Sequence, residues 1–490
     1  MTTIRSLSLR LAGDDRPIYL RLAEALRQAI HAGRARPGEA LPSARQLAEH
    51  IGAHRHTVMA ALDELVAEGW VVAETRRGYR VSAELPAASF RPAGRPRTLP
   101  TKPTKHAWRL VRAASADAPY PDASVKYAFQ SGQPDLRAFP FAEFRGHVTD
   151  ALRRPSPRTF AYGRSSGHEP LLNALAAYLR RLRGIDDRGL IVTHGSQEAI
   201  FIAAQLLVAP GDRVAVEALG YPPAWEALRA AGARLEPVPV DQDGLDPDAF
   251  DALCQKRRIR LLYVTPLHQY PTTVTLPVAR RMRLYEVALR HGVPILEDDY
   301  DHEYHYRCQP LAPLAATDPA GLVLYVGTFT KVLFPSMRIG YMAVPAALHA
   351  AATRFRRITS NQNDALLQDA VARWIGDGGL ERHLRRMARL YEERLMALDD
   401  ALEVGRQRGI PLTWRVPDGG MALWLGVPAP TAQVARAAAK AGVFVHIEEQ
   451  FQLARRRGTH LRLGFAALTP EEIRLGIRAL LDAVTRPSPG

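Results

Sequence analysis

The chain predicts two domains of different fold class: a small helical domain closed by a two-stranded hairpin, and a larger α/β domain built on a parallel sheet. Three observations predict this. Hydrophobic positions recur at helical spacing near the N-terminus. A Pro- and Arg-rich stretch without helix or strand period follows. Beyond it, short apolar runs alternate with helical stretches. The 490 residues also exceed one domain at roughly 150 residues each. With 47% hydrophobic and 23% charged residues, a disordered or collagen-like chain is excluded. Lys and Arg number 65 against 50 Asp and Glu, a net charge of +15 that suits a polyanionic partner. Cys254 and Cys308 are too few for a disulfide framework and lack zinc-site spacing, so no metal is expected. Neither a membrane span nor a signal peptide is expected, which predicts a cytoplasmic protein.

In the small domain, PIYLRLAEALRQAIHAG sets Ile18, Leu22, Leu26 and Ile30 on one side of a helix that Gly33 stops. LPSARQLAEHIGAHRHTVMAALDELVAEG then gives a short helix after Ser43, a turn at Gly52, and a second helix with Val58, Leu62 and Leu65 inward. Two short helices about a Gly turn form a helix-turn-helix. The second opens with His54, Arg55, His56 and Thr57, whose donors suit base edges or phosphates in a major groove. Arg55 can hold a guanine through two bonds. Trp70 to Val72, a turn at Arg76 to Gly78, and Tyr79 to Val81 read as a basic-tipped wing. Helices with a hairpin can pack without DNA; here the order of elements favours a DNA reader.

In the large domain, LIVTHG, RVAVEAL, IRLLYVTP, VPILEDDY and LVLYVGTF read as buried parallel strands. Ligands gather at the carboxyl ends of such strands, and four groups fall there. Gly195, Ser196 and Gln197 open a helix whose free amides suit an anion. Glu297, Asp298, Asp299 and Tyr300 end a strand, where a carboxylate can pair with a protonated ring nitrogen. GTFTKVLFPSMRIGYM brings Thr328, Thr330, Lys331 and Arg338 together, an amine for a Schiff base beside groups that hold phosphate. Tyr221 offers a stacking face. Singly, these would be a helix cap, a solvated turn, a surface lysine and a core tyrosine. Jointly they supply a phosphate cradle, a ring-nitrogen partner, an amine for an aldehyde and a stacking platform, the parts of a pyridoxal 5'-phosphate site.

The stretch from PIYLRL to LDELVAEGW resembles the winged helix-turn-helix of the GntR family. That resemblance implies DNA contacts at Arg45, Arg55, His56, Thr57, Arg77 and Gly78. From about Val125 onward, the FTK...R and DDYD strings resemble the fold-type I aminotransferases. By that resemblance Lys331 is the Schiff-base lysine, Asp298 partners the pyridine nitrogen, Tyr300 donates to the ring hydroxyl and Tyr221 stacks on the ring. Ser196, Gln197, Thr328 and Arg338 hold the phosphate, and Arg462 in LRLGFA grips a substrate or effector carboxylate. The expected fold is therefore a winged helix-turn-helix domain over 10–83, a Pro/Arg-rich linker over 84–122, and an α/β fold-type I pyridoxal-phosphate-dependent aminotransferase-like domain over 123–490.

This fusion resembles the MocR/GabR subfamily of regulators. It implies a homodimer on double-stranded promoter DNA, controlled by a small amino compound or by the cofactor. The alternative is a catalytic aminotransferase with an accessory DNA-binding domain. Several positions depart from the family pattern. Thr273 replaces a glycine in LHQYPTT, Leu172 replaces a common arginine, and RRGYRV replaces the small Gly-rich wing tip. Pro223 stands where γ-aminobutyrate-sensing members have an arginine, which disfavours that effector, and DGGMALW replaces a GLH pattern near the substrate pocket.

Overall fold

The amphipathic stretch after Pro17 forms α1 (Ile18–His31) and buries Leu22, Leu26 and Ile30. This is a computed structural model, and it describes residues 7, 9, 11, 13–74, 77–86, 121, 124–154, 156–306, 311–454 and 456–486. The expected linker over 84–122 lies almost wholly outside the described residues, as do Arg76 in the wing turn and Cys308. Contacts divide the chain into two units, Met1–Val111 and Arg112–Gly490.

In the first unit, α2 (Ala44–Ile51) begins with a reciprocal cap. The Gln46 amide donates to Ser43 Oγ at 3.3 Å, and Ser43 N–H donates to Gln46 Oε1 at 3.0 Å, satisfying two end groups the helix cannot pair itself. Gly52 ends it in the left-handed conformation (φ 68°), which glycine adopts without a Cβ clash. The chain re-enters a helix at α3 (Arg55–Ala67), whose Val58, Leu62 and Leu65 are buried. The strands β1 (Val71–Glu74) and β2 (Gly78–Val81) pair antiparallel with Val71 opposite Val81. Trp70 meets the His31 ring edge-on at 4.8 Å and closes a core of Leu22, Leu26, Leu47, Leu62 and Leu65. The expected three helices and wing are all present.

The second unit carries a seven-stranded sheet. Its strands are β3 (Gly189–Thr193), β4 (Arg213–Glu217), β5 (Arg234–Val238), β6 (Ile259–Val264), β7 (Ile295–Asp299), β8 (Val323–Thr328) and β9 (Gly340–Val344). Their spatial order is β3-β9-β8-β7-β6-β4-β5. The five expected strands run parallel to one another, while β9 lies antiparallel between β3 and β8. Two strands are absent from the sequence expectation. β5 is an edge strand of mixed polarity, where Pro237 is tolerated because no ladder donor is needed on the outer side. β9 is hidden inside the GTFTKVLFPSMRIGYM string, whose chemistry masks a fully buried strand.

Helices cover both faces, including α4 (Ser196–Leu207), α5 (Pro222–Ala230), α6 (Val278–His291) and α7 (Ala346–Ser360). The long α8 (Gly379–Gln407) leads to a four-stranded antiparallel sheet of β10 (Thr413–Trp414), β11 (Ala422–Gly426), β12 (His446–Ile447) and β13 (His460–Gly464) in the order β10-β11-β13-β12. Leu395, Leu398 and Leu402 of α8 join Leu423, Leu425, Leu461 and Leu463 in a second core. In this sheet Trp424, Arg462 and His446 stand side by side in register, so all three project from one face.

Candidate functional sites

In the first unit, Arg55 and His56 are exposed in the first turn of α3, and Thr57 beside them is half-buried. Arg45, near the start of α2, is 85% exposed and its 3.3 Å contact with Glu49 leaves it free to reach outward. Arg77 and Gly78 lie exposed at the start of the second wing strand. The six positions therefore sit on the helix pair and wing, with apolar faces turned to the core and donors turned away.

In the second unit, the expected residues gather at the carboxyl end of the seven-stranded sheet. Asp298 is 3% exposed on β7. Tyr263 from the neighbouring β6 donates its hydroxyl to Asp298 Oδ2 at 2.8 Å, while Oδ1 is buried without a partner. Burial pushes this carboxyl up to about 7, against the opposing effect of the Tyr263 bond. An unpaired buried acceptor is costly in a folded chain unless a ligand completes it. A protonated ring nitrogen has the donor and the charge that Oδ1 lacks. The next carboxylate behaves differently: although burial also raises Asp299, the charges of Arg183 and His302 and the 2.6 Å bond from Tyr325 hold it at about 2. Asp299 Oδ2 is held by Arg183 and Tyr325, while its Oδ1, like that of Asp298, is buried without a hydrogen-bond partner.

Lys331 follows β8, and burial lowers its ammonium below the usual lysine range while the charge of Asp301 opposes that shift. Gly132 sits at φ 67°, in the left-handed region that glycine favours, and a Cβ there would stand 2.6 Å from Lys331 Nζ, so a larger residue would displace the tip of the lysine. Thr328 Oγ1 accepts the Thr330 amide at 3.1 Å and donates to Thr330 Oγ1 at 2.8 Å, a tight turn at the strand end.

The helix start at Gly195 (φ 78°) faces the same end of the sheet. Arg338 donates to His194 O at 2.7 Å, and its guanidinium lies 3.3 Å from where a Gly195 Cβ would be. Gln197 donates to Pro223 O at 2.8 Å, with Oε1 buried and unpartnered. Ser196 is the first residue of α4, where free amides and the helix dipole attract an anion. Tyr221 caps α5 and meets the Tyr270 ring edge-on at 5.1 Å.

Arg462 is 2% exposed. Its Nε donates to Ser131 Oγ at 3.0 Å, Nη1 to Pro271 O, and Nη2 to Tyr300 Oη at 3.4 Å, while the guanidinium lies 4.4 Å from the Tyr270 ring centroid. Four contacts from three segments fix its orientation. Tyr270 also meets Tyr300 at 5.9 Å and Phe451 at 5.4 Å, so an aromatic wall adjoins this cation.

Sequence reasoning missed the residues behind these groups. Nothing in IRLLYVTP distinguishes Tyr263 from any other buried strand residue. Glu198 accepts His194 N–H at 2.7 Å and Ser360 Oγ at 2.7 Å, and faces buried Arg356 at 3.3 Å, so it braces the loop that Arg338 holds. His268 and Asp301 pair at 2.7 Å beneath Gly420. The DDYD string marked Asp301, but a buried histidine partner from another strand end leaves no local signal. The Thr273 departure has a structural consequence: this β-branched residue sits at φ 66°, in the left-handed region that the glycine it replaces would occupy freely.

The fold and this site together define a transcriptional regulator of the winged-helix class that carries an aminotransferase domain. Residues 130–480 match the aminotransferase class I and II family, and residues 18–81 match the bacterial regulatory proteins of the gntR family. The chain belongs to the MocR-type regulators of the GntR family. It is 37% identical over 390 residues to the probable rhizopine catabolism regulatory protein MocR of Rhizobium meliloti, covering 78% of this chain and 76% of that protein. The HTH-type transcriptional regulator TauR of Rhodobacter capsulatus is 32% identical, covering 96% of this chain and 97% of its own. Among solved structures, the Pyrococcus horikoshii kynurenine aminotransferase superposes with a TM-score of 0.70 at 27% identity, over 74% of this chain and 91% of that one. The cofactor of this domain is pyridoxal 5'-phosphate, and the unpaired Asp298 Oδ1, the close approach at Gly132 and the helix start at Gly195 fit it. Among the described residues, no helix is long and apolar enough to cross a membrane.

Proposed function

We propose that the large unit senses a small amino compound bearing a carboxylate, and that its binding changes the affinity of the winged helix for promoter DNA. The observation that carries this reading is the pairing, in one chain, of a buried, pre-oriented Arg462 with Lys331 and the unpaired oxygen of Asp298. Bound there, pyridoxal phosphate supplies an aldehyde that condenses with primary amines and a ring that withdraws electrons from the carbon beside the nitrogen. Lys331 holds the cofactor through its amine. Asp298 takes the ring nitrogen, Tyr300 the ring hydroxyl, and Tyr221 stacks on the ring. Ser196, Gln197, Thr328 and Arg338 receive the phosphate, and Arg462 takes the effector's carboxylate through its remaining N–H groups.

On the DNA side, Arg55, His56 and Thr57 read base edges, while Arg45, Arg77 and Gly78 hold the backbone. The working unit is a cytoplasmic homodimer, in keeping with paired half-sites and with exposed Phe141, Leu152, Phe160 and Ile358 on the second unit. Domains over 10–83 and 123–490 joined by a linker over 84–122 suit this division of labour. For the coupling to operate, the effector must bind the DNA-competent and DNA-incompetent arrangements with different affinity.

A second reading, steady aminotransferase turnover, is favoured by the lowered Lys331 ammonium, because a neutral amine can accept a proton. One experiment separates the two. The purified, cofactor-loaded protein is titrated with a panel of amino acids and amines while its visible absorption, its affinity for its own upstream DNA and keto-acid release are followed. A spectral change with altered DNA affinity and no accumulating product supports the sensor; many turnovers support the enzyme. A DNA affinity unmoved by any compound that perturbs the spectrum refutes sensing.

A further inference from the structure

The first half of α8 carries a charge pattern that neither the cofactor site nor the winged helix uses. Arg382, Arg385, Arg386 and Arg389 recur at i, i+3, i+4 and i+7, so they form one stripe along the helix, and all four are exposed. Across from them runs the segment around Phe139 and Pro140, and Arg137 joins the stripe to line a groove of about 800 Å³. Two of the four are tethered: Arg382 donates to Asp377 O at 2.8 Å and Glu143 Oε1 at 3.1 Å, and Arg386 to Ala138 O at 2.7 Å. Arg385 and Arg389 have no hydrogen bond or ion pair among the described residues. Only Glu393 brings a carboxylate to the groove lining.

This arrangement opposes helix stability in two ways. Like charges four residues apart repel, and this applies to both Arg382/Arg386 and Arg385/Arg389. Arg382 also lies in the first turn of the helix, where the backbone dipole is already positive. A bound polyanion removes both penalties. The stripe runs over eight residues, seven steps of 1.5 Å or about 10 Å, which is the rise of about three base pairs along a duplex axis. The same chain carries a DNA-reading unit and a net charge of +15, so a duplex is the polyanion held at high local concentration.

We propose that this groove on the aminotransferase-like unit binds the phosphodiester backbone of DNA, adding sequence-independent contacts to those of the winged helix. The inference rests on the family's DNA binding only for the identity of the partner. Arg385 and Arg389 are its centre with Arg386 beside them, while Arg382 and Arg137 line the groove with their charges paired to Glu143 and to Asp135 and Glu472. The groove is open, with the arginines along α8 facing Ala138, Phe139 and Pro140, an arrangement that presents charge to a backbone and not an ordered set of donors to base edges.

The test uses the full-length, cofactor-loaded protein and a random-sequence duplex, so that no operator need be known. Binding is measured by fluorescence anisotropy over a range of salt. The R385A/R389A variant removes exposed side chains that hold nothing else in place. It is expected to weaken binding about 3- to 10-fold and to flatten the slope of log K against log salt by about 1 to 2, since each lost phosphate contact contributes about 0.9. The R385K/R389K variant keeps the slope. As a charge control, R229A/R234A removes two exposed arginines elsewhere on the same unit and leaves the slope unchanged. A slope for R385A/R389A equal to that of the wild type overturns the proposal, as does an equal loss in the control pair. Calorimetric binding of inorganic phosphate that R385A/R389A abolishes, with duplex binding untouched, also overturns it and assigns the groove to a small anion.

Discussion

The Tyr263 hydroxyl donates to one oxygen of Asp298 at 2.8 Å and leaves the other oxygen buried and unpaired. The two residues stand near the ends of adjacent parallel strands, so the sheet itself divides the carboxylate into an anchored oxygen and a free one. A hydrogen bond to the charged form favours that form, so Tyr263→Phe raises the Asp298 pKa further and leaves less anion to meet a protonated ring nitrogen. A bond to a charged group contributes about 1.5–3 kcal/mol, and cofactor affinity is expected to fall about 10-fold or more. Equilibrium titration of the apoprotein, read by visible absorption, checks this. An unchanged affinity removes Tyr263 from the site.

Much of this site was legible in the sequence because its parts are strand ends and helix starts, which carry local signals. Gly195-Ser196-Gln197 opens a helix, Asp298 ends a hydrophobic run, and Lys331 follows another. The small unit was equally legible, since apolar spacing and Gly52 mark its helices directly. What stayed hidden depends on contacts between distant segments. Tyr263 looks like any strand tyrosine until the register of β6 with β7 sets it beside Asp298. Arg462 gains its orientation from Ser131, Pro271, Tyr300 and Tyr270, none of which is near it in sequence. The strand β9 went unread because its glycine and its neighbours advertise a loop, whereas Gly340 is required for packing: a Cβ there would lie 2.7 Å from the Gly195 Cα.

Glu198 ties the turn at His194 to α7, and its contribution depends on pH. Burial raises its pKa, but the bonds from His194 and Ser360 and the charge of Arg356 outweigh that and hold it at about 2, below the ordinary 4.5. A depressed folded-state pKa means stability that is present above about pH 4.5 and is lost as pH falls toward 2. The shift corresponds to about 3 kcal/mol at 1.36 kcal/mol per unit, reduced to about 2 because the group is only partly buried. Glu198→Gln is expected to cost about 2 kcal/mol at pH 7, with the gap to wild type narrowing as pH falls below 4.5. Urea unfolding at pH 7 and pH 3.5 measures it. A gap of equal size at both pH values means that the charge of Glu198 is not what braces the turn.

Arg462 tests the effector half of the proposal separately from the cofactor half. Arg462→Lys keeps the positive charge but replaces the planar fork by a point charge, so Ser131, Pro271 and Tyr300 cannot all be satisfied and a carboxylate loses its paired bonds. Affinity for a carboxylate-bearing effector is expected to fall about 10- to 100-fold, which is about 1.4–2.8 kcal/mol. Cofactor affinity stays within about 2-fold, and amines without a carboxylate bind as before. A uniform loss across both kinds of amine would show that Arg462 supports the site as a whole and does not grip the carboxylate.

Arg55 separates reading the sequence from holding the backbone. It begins α3 with its side chain exposed, in the turn whose donors face outward, while Val58 and Leu62 pack the opposite face into the core. A guanidinium placed against guanine contributes about 1–3 kcal/mol of discrimination through two parallel bonds. Arg55→Ala is therefore expected to weaken binding to the preferred upstream site by about 5- to 150-fold, while binding to a random duplex falls only by the one lost charge. Arg45→Ala, on α2, is expected to weaken both duplexes alike and to flatten the salt dependence by about 1, the signature of a phosphate contact. Anisotropy with the two duplexes side by side gives both numbers. If Arg55→Ala lowers affinity equally for both, it is a backbone contact, and sequence reading passes to His56 and Thr57 in the same turn.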